Sequence, residues 1–406
     1  MTVQYKHATL PNGLRIAAEV MPGAHTAAIG FFVRTGARDE LPGVMGVSHF
    51  LEHMMFKGSQ TLRAEQVDRA FDDLGAEHNA FTSAEMTAFW AHCLPEQLPR
   101  AEAILADILR PALRPDDFDD EKKVILEEIA MYDDQPTWVL YERALEAYYG
   151  MHPLSHRVLG TNRTITDLTR DQMMAYFTER YAADNAIVAL AGNVDFEAMV
   201  ERIEATCRGW NTSRTKRRYP PVAPAPGEFT IESASVHRHY TIMIAPAPAV
   251  EDERRYAASM LTSVLGDSEG SRFYWALVDP GLAEDADASY EARDGLGEFY
   301  LSCVCDPADA ATIEGIMLEE ADKLIGSLTA DDLLRVRSRI ATGVTLHGEL
   351  PAGRMRRLGR QLTYLDEYRP LEEELARINA VTLDDLRALW EACPIRPVVT
   401  GRLRPA

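Results

Sequence analysis

A proline-rich break near the middle of the chain constrains its fold more than any other feature. Residues 209–218 are polar and basic, and four prolines and a glycine follow before residue 228. Because proline lacks the backbone N–H that a helix or a central strand needs, neither element crosses this stretch. We predict a linker over residues 213–227 that joins a first domain, 1–212, to a second domain, 228–406. We interpret the basic run as a solvated linker rather than a nucleic-acid patch.

The two sides of this linker have similar patterns. An apolar strand within Ala27–Glu40 ends in charged residues, and so does an apolar strand within Tyr240–Glu253. A helix of small and apolar residues follows each of them. The similarity predicts two copies of one α/β unit.

Local patterns predict several elements of the first half. Asn12-Gly13 predicts a β-hairpin over residues 8–20, because both residues tolerate positive φ. Glu77–Cys93 alternates and predicts a strand or hairpin. Helical periodicity covers residues 46–57, 64–75, 95–110 and 119–133.

The charge balance excludes some classes of partner. The chain has 42 Lys and Arg against 63 Asp and Glu, a net charge of −21, and such a surface repels nucleic acids and anionic membranes. Neither is therefore expected as a partner. The sequence has no long apolar segment and no signal-like start, so we expect no membrane span and a cytoplasmic location. The five cysteines are too few and too scattered for a disulfide framework.

The segment Ser48–Gly58 contains the pattern His-x-x-Glu-His, formed by His49, Glu52 and His53. On a helix, the two histidines lie one turn apart on the same face, which suits two imidazoles that bind one Zn²⁺. Glu52 lies beside them, where its carboxylate can contact a metal-bound water without being a ligand. The alternative is a helix with two ordinary histidines and a surface glutamate. A third ligand is needed to support the metal site.

A second predicted helix supplies the candidate third ligand. Helical spacing over residues 120–132 places Glu121 and Glu128 on the apolar face and leaves Glu127 outside it, where Lys123 can pair with it. An unpaired carboxylate on an apolar face is unfavourable to desolvate, and a metal ion removes that penalty. We therefore predict Glu128 as the third ligand and Glu121 as a residue that orients a ligand. The alternative is an acidic helix with imperfect amphipathicity.

Taken together, these motifs resemble those of the M16 metallopeptidases, which include insulin-degrading enzyme, pitrilysin and the mitochondrial processing peptidase. The histidine pair and Glu52 match the family's His-x-x-Glu-His motif, and Glu128 matches its zinc-binding glutamate. Gly36–Glu40 and the edge-strand segment Asn79–Ser83 are also similar to the family. The resemblance implies an α+β fold with two similar α/β domains, each an antiparallel-rich sheet with packed helices. It also implies that the chain forms half of a clamshell, as in the smaller, dimeric members.

The resemblance further implies a zinc-dependent endopeptidase with one Zn²⁺ per chain. Glu52 would act as the general base on a metal-activated water, and peptides would be the substrates. The implied zinc ligands are His49, His53 and Glu128, and the implied substrate-binding residues are Asn79, Ala80 and Phe81. The alternative is a non-catalytic M16-like structural or assembly subunit. The complete set of ligands and base favours the enzyme.

The second half departs from the family pattern. The positions of the family's substrate-contacting Arg and Tyr fall on Val278 and Glu284, and the metal motif is not repeated. We therefore expect an inactive M16-like C-terminal domain. The expected assembly is a heterodimer with an M16-like chain that carries the Arg/Tyr pair, and a homodimer is the alternative. We interpret His237-Arg238-His239 as surface residues rather than a second metal site.

Overall fold

A computed structural model describes residues 3–217, 221–222, 224–267 and 269–406. The strands are β1 (Gln4–Thr9), β2 (Arg15–Val20), β3 (Ala27–Val33), β4 (Glu77–Thr82), β5 (Thr87–Cys93), β6 (Ala186–Gly192), β7 (Gly227–Ser233), β8 (His239–Ala247), β9 (Ala283–Arg293), β10 (Leu296–Cys305) and β11 (Val399–Pro405). The α-helices are α1 (Val47–Phe56), α2 (Ala64–Asp72), α3 (Leu98–Ile108), α4 (Pro115–Asp133), α5 (Pro136–Tyr149), α6 (Asn162–Asp167), α7 (Arg170–Arg180), α8 (Phe196–Cys207), α9 (Arg255–Gly266), α10 (Ala310–Ser327), α11 (Ala330–Glu349), α12 (Pro351–Tyr364), α13 (Leu371–Ala380) and α14 (Leu383–Ala392). None of the helices described is long and apolar enough to span a bilayer.

The strands form two sheets with the same topology. The first sheet has the order β1-β2-β6-β3-β5-β4, and the second has the order β7-β11-β8-β10-β9. Apart from β1, each sheet starts with a parallel pair, β2 with β6 and β7 with β11, and its other neighbouring strands are antiparallel. The prediction of two similar, antiparallel-rich α/β units is therefore confirmed.

Each compact unit is built from three segments of the chain. The first unit contains Met1–Ala130, His156–Tyr219 and Leu346–Tyr368. The second unit contains Met131–Ser155, Pro220–Thr345 and Arg369–Ala406.

This division places one helix from each half of the sequence in the unit formed mainly by the other half. Helix α12 packs on β3 and β6 in the first unit, and α5 packs on β8 and β11 in the second. The strands that they cover occupy equivalent positions in the two sheets. The contiguous domains 1–212 and 228–406 stay a prediction, and residues 218–220 and 223 of the predicted linker lie outside the described part of the chain.

Helix α12 lies close to its sheet because two glycines face the contact. A Cβ atom at Gly359 would clash with the ring of Phe32, and one at Gly30 would reach the sulfur of Met355. Any larger residue at these positions would separate the helix from the strand. The surrounding apolar side chains form a buried cluster on this face of the sheet.

Most of the elements predicted for the first half are present. The Asn12-Gly13 turn joins β1 to β2 in a hairpin that spans residues 4–20, longer than predicted. Strands β4 and β5 form the hairpin expected over Glu77–Cys93. All five cysteines are free, and Cys303 and Cys305 are buried in the apolar core of the second unit.

Candidate metal centre

Helix α1 carries the His-x-x-Glu-His pattern, and a residue that precedes the helix caps its N-terminus. It starts after Gly46, whose φ of +90° lies in the left-handed region, and this residue offers no side-chain cap. The buried carboxylate of Glu40 instead accepts hydrogen bonds from the amides of Gly46 and Ser48, each at 2.7 Å. Burial raises the pKa of Glu40 to about 8, while the hydrogen bonds from Ser48 and Gly46 oppose this shift. The apolar residues of the helix that are buried are Val47, Phe50, Leu51, Met54 and Met55.

The side chains of two histidines of α1 and one glutamate of α4 come together: His49, His53 and Glu128. The Nε2 atom of His49 lies 3.8 Å from Oε2 of Glu128, and Nε2 of His53 lies 3.7 Å from the same oxygen. The three ligand atoms all lie within 4.8 Å of one another, and no other such group of three or more was found among the described residues. Two imidazole nitrogens and one carboxylate oxygen form a donor set that suits Zn²⁺, which binds such ligands at about 2.0–2.2 Å. The residues therefore fit a zinc ion.

The protonation state of His49 is compatible with metal binding. Burial and the neighbouring His53 lower the pKa of His49 to about 3, so that its ring stays neutral near pH 7. A neutral imidazole is the form that binds a metal. Its Nδ1 atom is buried, and no hydrogen-bond partner for it occurs in the described part of the chain.

Glu121 holds His53 from the side away from the other ligands. Its carboxylate contacts Nδ1 of His53 at 2.8 Å and Nζ of Lys57 at 2.5 Å, and its side chain is 7% exposed. Burial alone would raise the pKa of Glu121, but the hydrogen bonds from His53 and Lys57 hold it below its ordinary value. When Nδ1 donates to a carboxylate, Nε2 remains free for a metal. The structure thus brings Glu121 to the position predicted for an orienting residue.

Glu52 lies beside the candidate ligands on α1, and its carboxylate contacts a residue of strand β4. Its Oε2 atom accepts a hydrogen bond from Oγ1 of Thr82, at the end of β4, at 2.5 Å. Burial raises the pKa of Glu52, and the hydrogen bond from Thr82 opposes that shift. The charge of His53 lowers the pKa of this carboxyl group, and the charge of Glu128 raises it. Sequence reasoning did not identify Thr82 as a contact of Glu52.

Asn79, Ala80 and Phe81 lie on β4, an outer strand of the first sheet. This strand pairs with β5 on one side, and its other edge has no partner strand among the residues described. Helix α1 packs against β4. The side-chain oxygen of Asn79 accepts a hydrogen bond from the amide of Ala80 at 2.8 Å, and Asn79 is exposed.

Comparison with known proteins identifies the family. The sequence model of the insulinase family, peptidase family M16, matches residues 15–162, and that of the peptidase M16 inactive domain matches residues 167–340. An uncharacterized zinc protease of Mycobacterium tuberculosis is 34% identical over 400 residues, which cover 95% of this chain and 89% of the relative. The chain belongs to peptidase family M16.

Other M16 comparisons agree with this assignment. An uncharacterized zinc protease of Bacillus subtilis is 30% identical over 95% of this chain and 94% of its own length. The crystal structure of a protease from Helicobacter pylori has the same fold, with a TM-score of 0.90 and 21% identity over the full length of both chains. The M16 fold is thus observed both in the structure and in the comparisons, and the similarity of the two halves is observed in their sheets.

For three residues of this M16 chain, the structure differs from the sequence-based interpretation. Glu127 is exposed as expected, but Lys123 pairs with Asp120 at 2.8 Å and not with Glu127. His239 is buried rather than on the surface, and its Nε2 lies 3.1 Å from Oγ1 of Thr241. Arg217 lies in the basic run interpreted as solvated, but its side chain is only 6% exposed. For Lys123 a competing neighbour on the same helix supplies the partner. For His239 and Arg217, residues distant in sequence, Glu314 and Asp39, supply contacts that periodicity does not reveal.

The two positions assigned to the family's Arg and Tyr have ordinary surroundings. Val278 packs half-buried against the core of the second unit. Glu284 is half-exposed on β9 and pairs with Arg238. Sequence reasoning missed Glu40 as the cap of α1, although it lies in the segment Gly36–Glu40 that was noted for its resemblance to the family.

Proposed function

We propose that this chain is a zinc-dependent endopeptidase that holds one zinc ion through His49, His53 and Glu128. The observation that carries the proposal is the convergence of these three side chains, with Glu52 beside them and Glu121 behind His53. The names of the relatives, which are zinc proteases, support the same activity. The expected location remains the cytoplasm.

In this proposal, different residues of the first unit have different roles in peptide hydrolysis. Bound zinc would polarise the peptide carbonyl and lower the pKa of a water molecule to about 7. Glu52 takes a proton from that water and later delivers it to the leaving amine. Thr82 holds one oxygen of Glu52, which leaves the other oxygen to accept the proton. Glu121 keeps the ring of His53 in one orientation.

We also propose that the substrate is an extended peptide bound along β4. The outer edge of this strand offers backbone N–H and C=O groups to which a peptide can add as a further strand. Asn79, Ala80 and Phe81 would form this contact. The packing of α1 against β4 supports the proposal, because it brings the strand next to the helix that carries Glu52.

Peptide hydrolysis with a chelator and a base variant tests the function. The wild-type chain should cleave a quenched peptide, lose this activity with a zinc chelator and regain it when zinc is restored. Glu52→Gln should keep the zinc and lose about 10²–10⁴-fold in kcat, because the ligands remain while the proton acceptor is lost. Near-normal turnover in Glu52→Gln would disprove the mechanism. A zinc-loaded wild-type chain without activity, alone or with a partner, would favour the alternative of a non-catalytic M16-like subunit.

We further propose that the chain works with a second M16-like chain that carries the Arg/Tyr pair. Val278 can donate no hydrogen bond from its side chain, and an ionised Glu284 is an acceptor where a carbonyl or oxyanion needs a donor. Both positions thus lack the chemistry that the pair would supply. The test is peptide cleavage by the chain alone and with a co-expressed M16-like chain that has Arg and Tyr but lacks His-x-x-Glu-His. Full activity alone, with no gain from the partner, would favour a homodimer.

A further inference from the structure

Arg217 belongs to the basic run that follows the first half of the sequence, yet its side chain is only 6% exposed. Its Nε atom donates to Oδ1 of Asp39 at 3.0 Å, and its Nη2 atom donates to Oδ2 of the same residue at 2.7 Å. The same Nη2 atom also donates to the backbone carbonyl of Glu85. A planar guanidinium that spans a carboxylate in this way fixes the orientation of both groups.

The contacts of Arg217 join two loops that already lie side by side. One loop contains residues 36–40 and the other contains residues 83–86. The amide of Ala37 donates to the carbonyl of Ser83 at 3.2 Å, and the amide of Arg38 donates to the carbonyl of Ala84 at 2.7 Å. Arg217 adds a contact to each loop, at Asp39 and at Glu85.

Both loops lead directly to the candidate active site. Glu40 follows Asp39 and accepts the amides of Gly46 and Ser48, so the first loop sets the start of the helix that carries His49. The second loop follows Thr82, whose hydroxyl contacts Glu52. A shift of the first loop would move Glu40 and with it the start of the helix that carries His49. A shift of the second loop would move Thr82 and with it the carboxylate of Glu52.

We propose that Arg217 is a positioning residue, which couples the segment after residue 211 to the geometry of His49 and Glu52. The proposal rests on the proposed peptidase function. Small displacements of reacting groups lower rates strongly, since about 1 Å of misplacement can reduce a rate ~10²-fold. The contacts described for Arg217 are with Asp39 and Glu85, so its effect on the ligands and the base passes through these two residues.

The fold is expected to survive the loss of Arg217. Asp39 keeps a second cation, because Nη1 of Arg180 lies 3.5 Å from its Oδ1 and Nη2 of Arg180 donates to its carbonyl at 3.3 Å. Arg217 itself lies in a segment, 211–217, that has neither helix nor strand. Its replacement therefore leaves the buried carboxylate neutralised and interrupts no regular element.

The first test compares Arg217→Gln with Lys216→Gln, which removes the same charge from the exposed neighbouring residue. In Arg217→Gln, kcat for a quenched peptide should fall about 10- to 100-fold with KM and zinc content little changed. Lys216→Gln should behave like the wild type. Arg217→Lys should give an intermediate kcat, because one ammonium can keep the charge near Asp39 but cannot reproduce the bidentate contact.

The second test needs no peptidase activity. In the zinc-free protein, hydrogen exchange of the amides of Gly46 and Ser48 should become about tenfold faster in Arg217→Gln, whereas α8 should exchange as in the wild type. If the wild-type chain cleaves no peptide, alone or with an M16-like partner chain, the proposed function fails, and this measurement still decides the coupling. Unchanged exchange at residues 46–48, an equal change in Lys216→Gln, or faster exchange throughout the protein would each overturn the proposal.

Discussion

The three carboxylates near the middle of α4 should differ sharply in their effect on zinc affinity. Glu128 lies near Nε2 of both histidines, Glu121 contacts Nδ1 of His53 and neither of the other candidate ligands, and Glu127 is exposed. Glu128→Gln should therefore weaken zinc binding more than 100-fold, because it removes the charge of a candidate ligand. Glu121→Gln should weaken it about 10- to 100-fold, as is usual when a residue that orients a ligand is lost. Glu127→Gln should have almost no effect.

The value for Glu121 can be checked against the contact that is lost. A hydrogen bond to a charged group is worth about 1.5–3 kcal/mol, and a 10- to 100-fold change in affinity corresponds to about 1.4–2.7 kcal/mol. The 2.8 Å contact between Glu121 and Nδ1 of His53 is thus sufficient to account for the expected change. Glu121 also contacts Lys57, so Lys57→Met is the matched control, because it removes this other contact and leaves the one with His53.

The assay is a competition titration with a chromophoric zinc chelator, with circular dichroism to confirm that each variant is folded. The expected order of zinc affinity is wild type and Glu127→Gln, then Glu121→Gln, then Glu128→Gln. Lys57→Met should bind zinc more tightly than Glu121→Gln. Equal losses in Glu127→Gln and Glu128→Gln would show that the helical-face argument chose the wrong carboxylate. An unchanged affinity in Glu121→Gln would refute its orienting role.

Three further predictions follow from single contacts. Thr82→Val should lower kcat about 10- to 100-fold while zinc content is unchanged. Thr82→Ser keeps the hydroxyl and should retain most of the wild-type rate. Equal rates in the two variants would contradict the role of the hydroxyl in holding Glu52. Burial would raise the pKa of Glu314, but hydrogen bonds from His239, Arg402 and Thr241 lower it from 4.5 to about 2. This carboxylate therefore stabilises the fold above about pH 4.5 and loses that effect as the pH falls towards 2, so urea unfolding of Glu314→Gln should depend less on pH in this range than unfolding of the wild type. Removal of zinc should lower the melting temperature, with a free-energy change of about 2.7 kcal/mol for zinc at 100 times its Kd, and Glu128→Gln should show no such shift.

The sequence predicts helix α1 well because its signals are local. The spacing of His49 and His53, the apolar residues between them and the glycine after the helix all fall within residues 46–58. The structure has α1 at Val47–Phe56, within one residue of the predicted bounds 46–57. The helical face that separates Glu128 from Glu127 is also a local property, set by the 3.6-residue period.

The support of that helix could not be predicted in the same way. Gly46 offers α1 no side-chain cap, and Glu40, whose backbone is extended, supplies the missing acceptor from outside the helix. Arg217 contacts Asp39, which lies more than 170 residues earlier in the sequence. A basic run in which one arginine is buried has the same composition as one that is fully solvated. The identity of the buried member depends on tertiary packing, which residue patterns do not record.

The placement of α5 in the second unit and α12 in the first also depends on tertiary packing, so the sequence alone did not predict it. Periodicity shows that α5 and α12 each have an apolar face, but an apolar face is satisfied by either sheet. In the first unit, the close fit of Gly359 against Phe32, and of Gly30 against Met355, is specific to α12 and β3. A glycine in a helix costs about 1 kcal/mol relative to alanine, so a glycine at position 359 makes sense only once its neighbour across the interface is known. Shape at the contact, rather than the hydrophobic pattern, therefore distinguishes the strands that α12 covers from the equivalent strands of the other sheet.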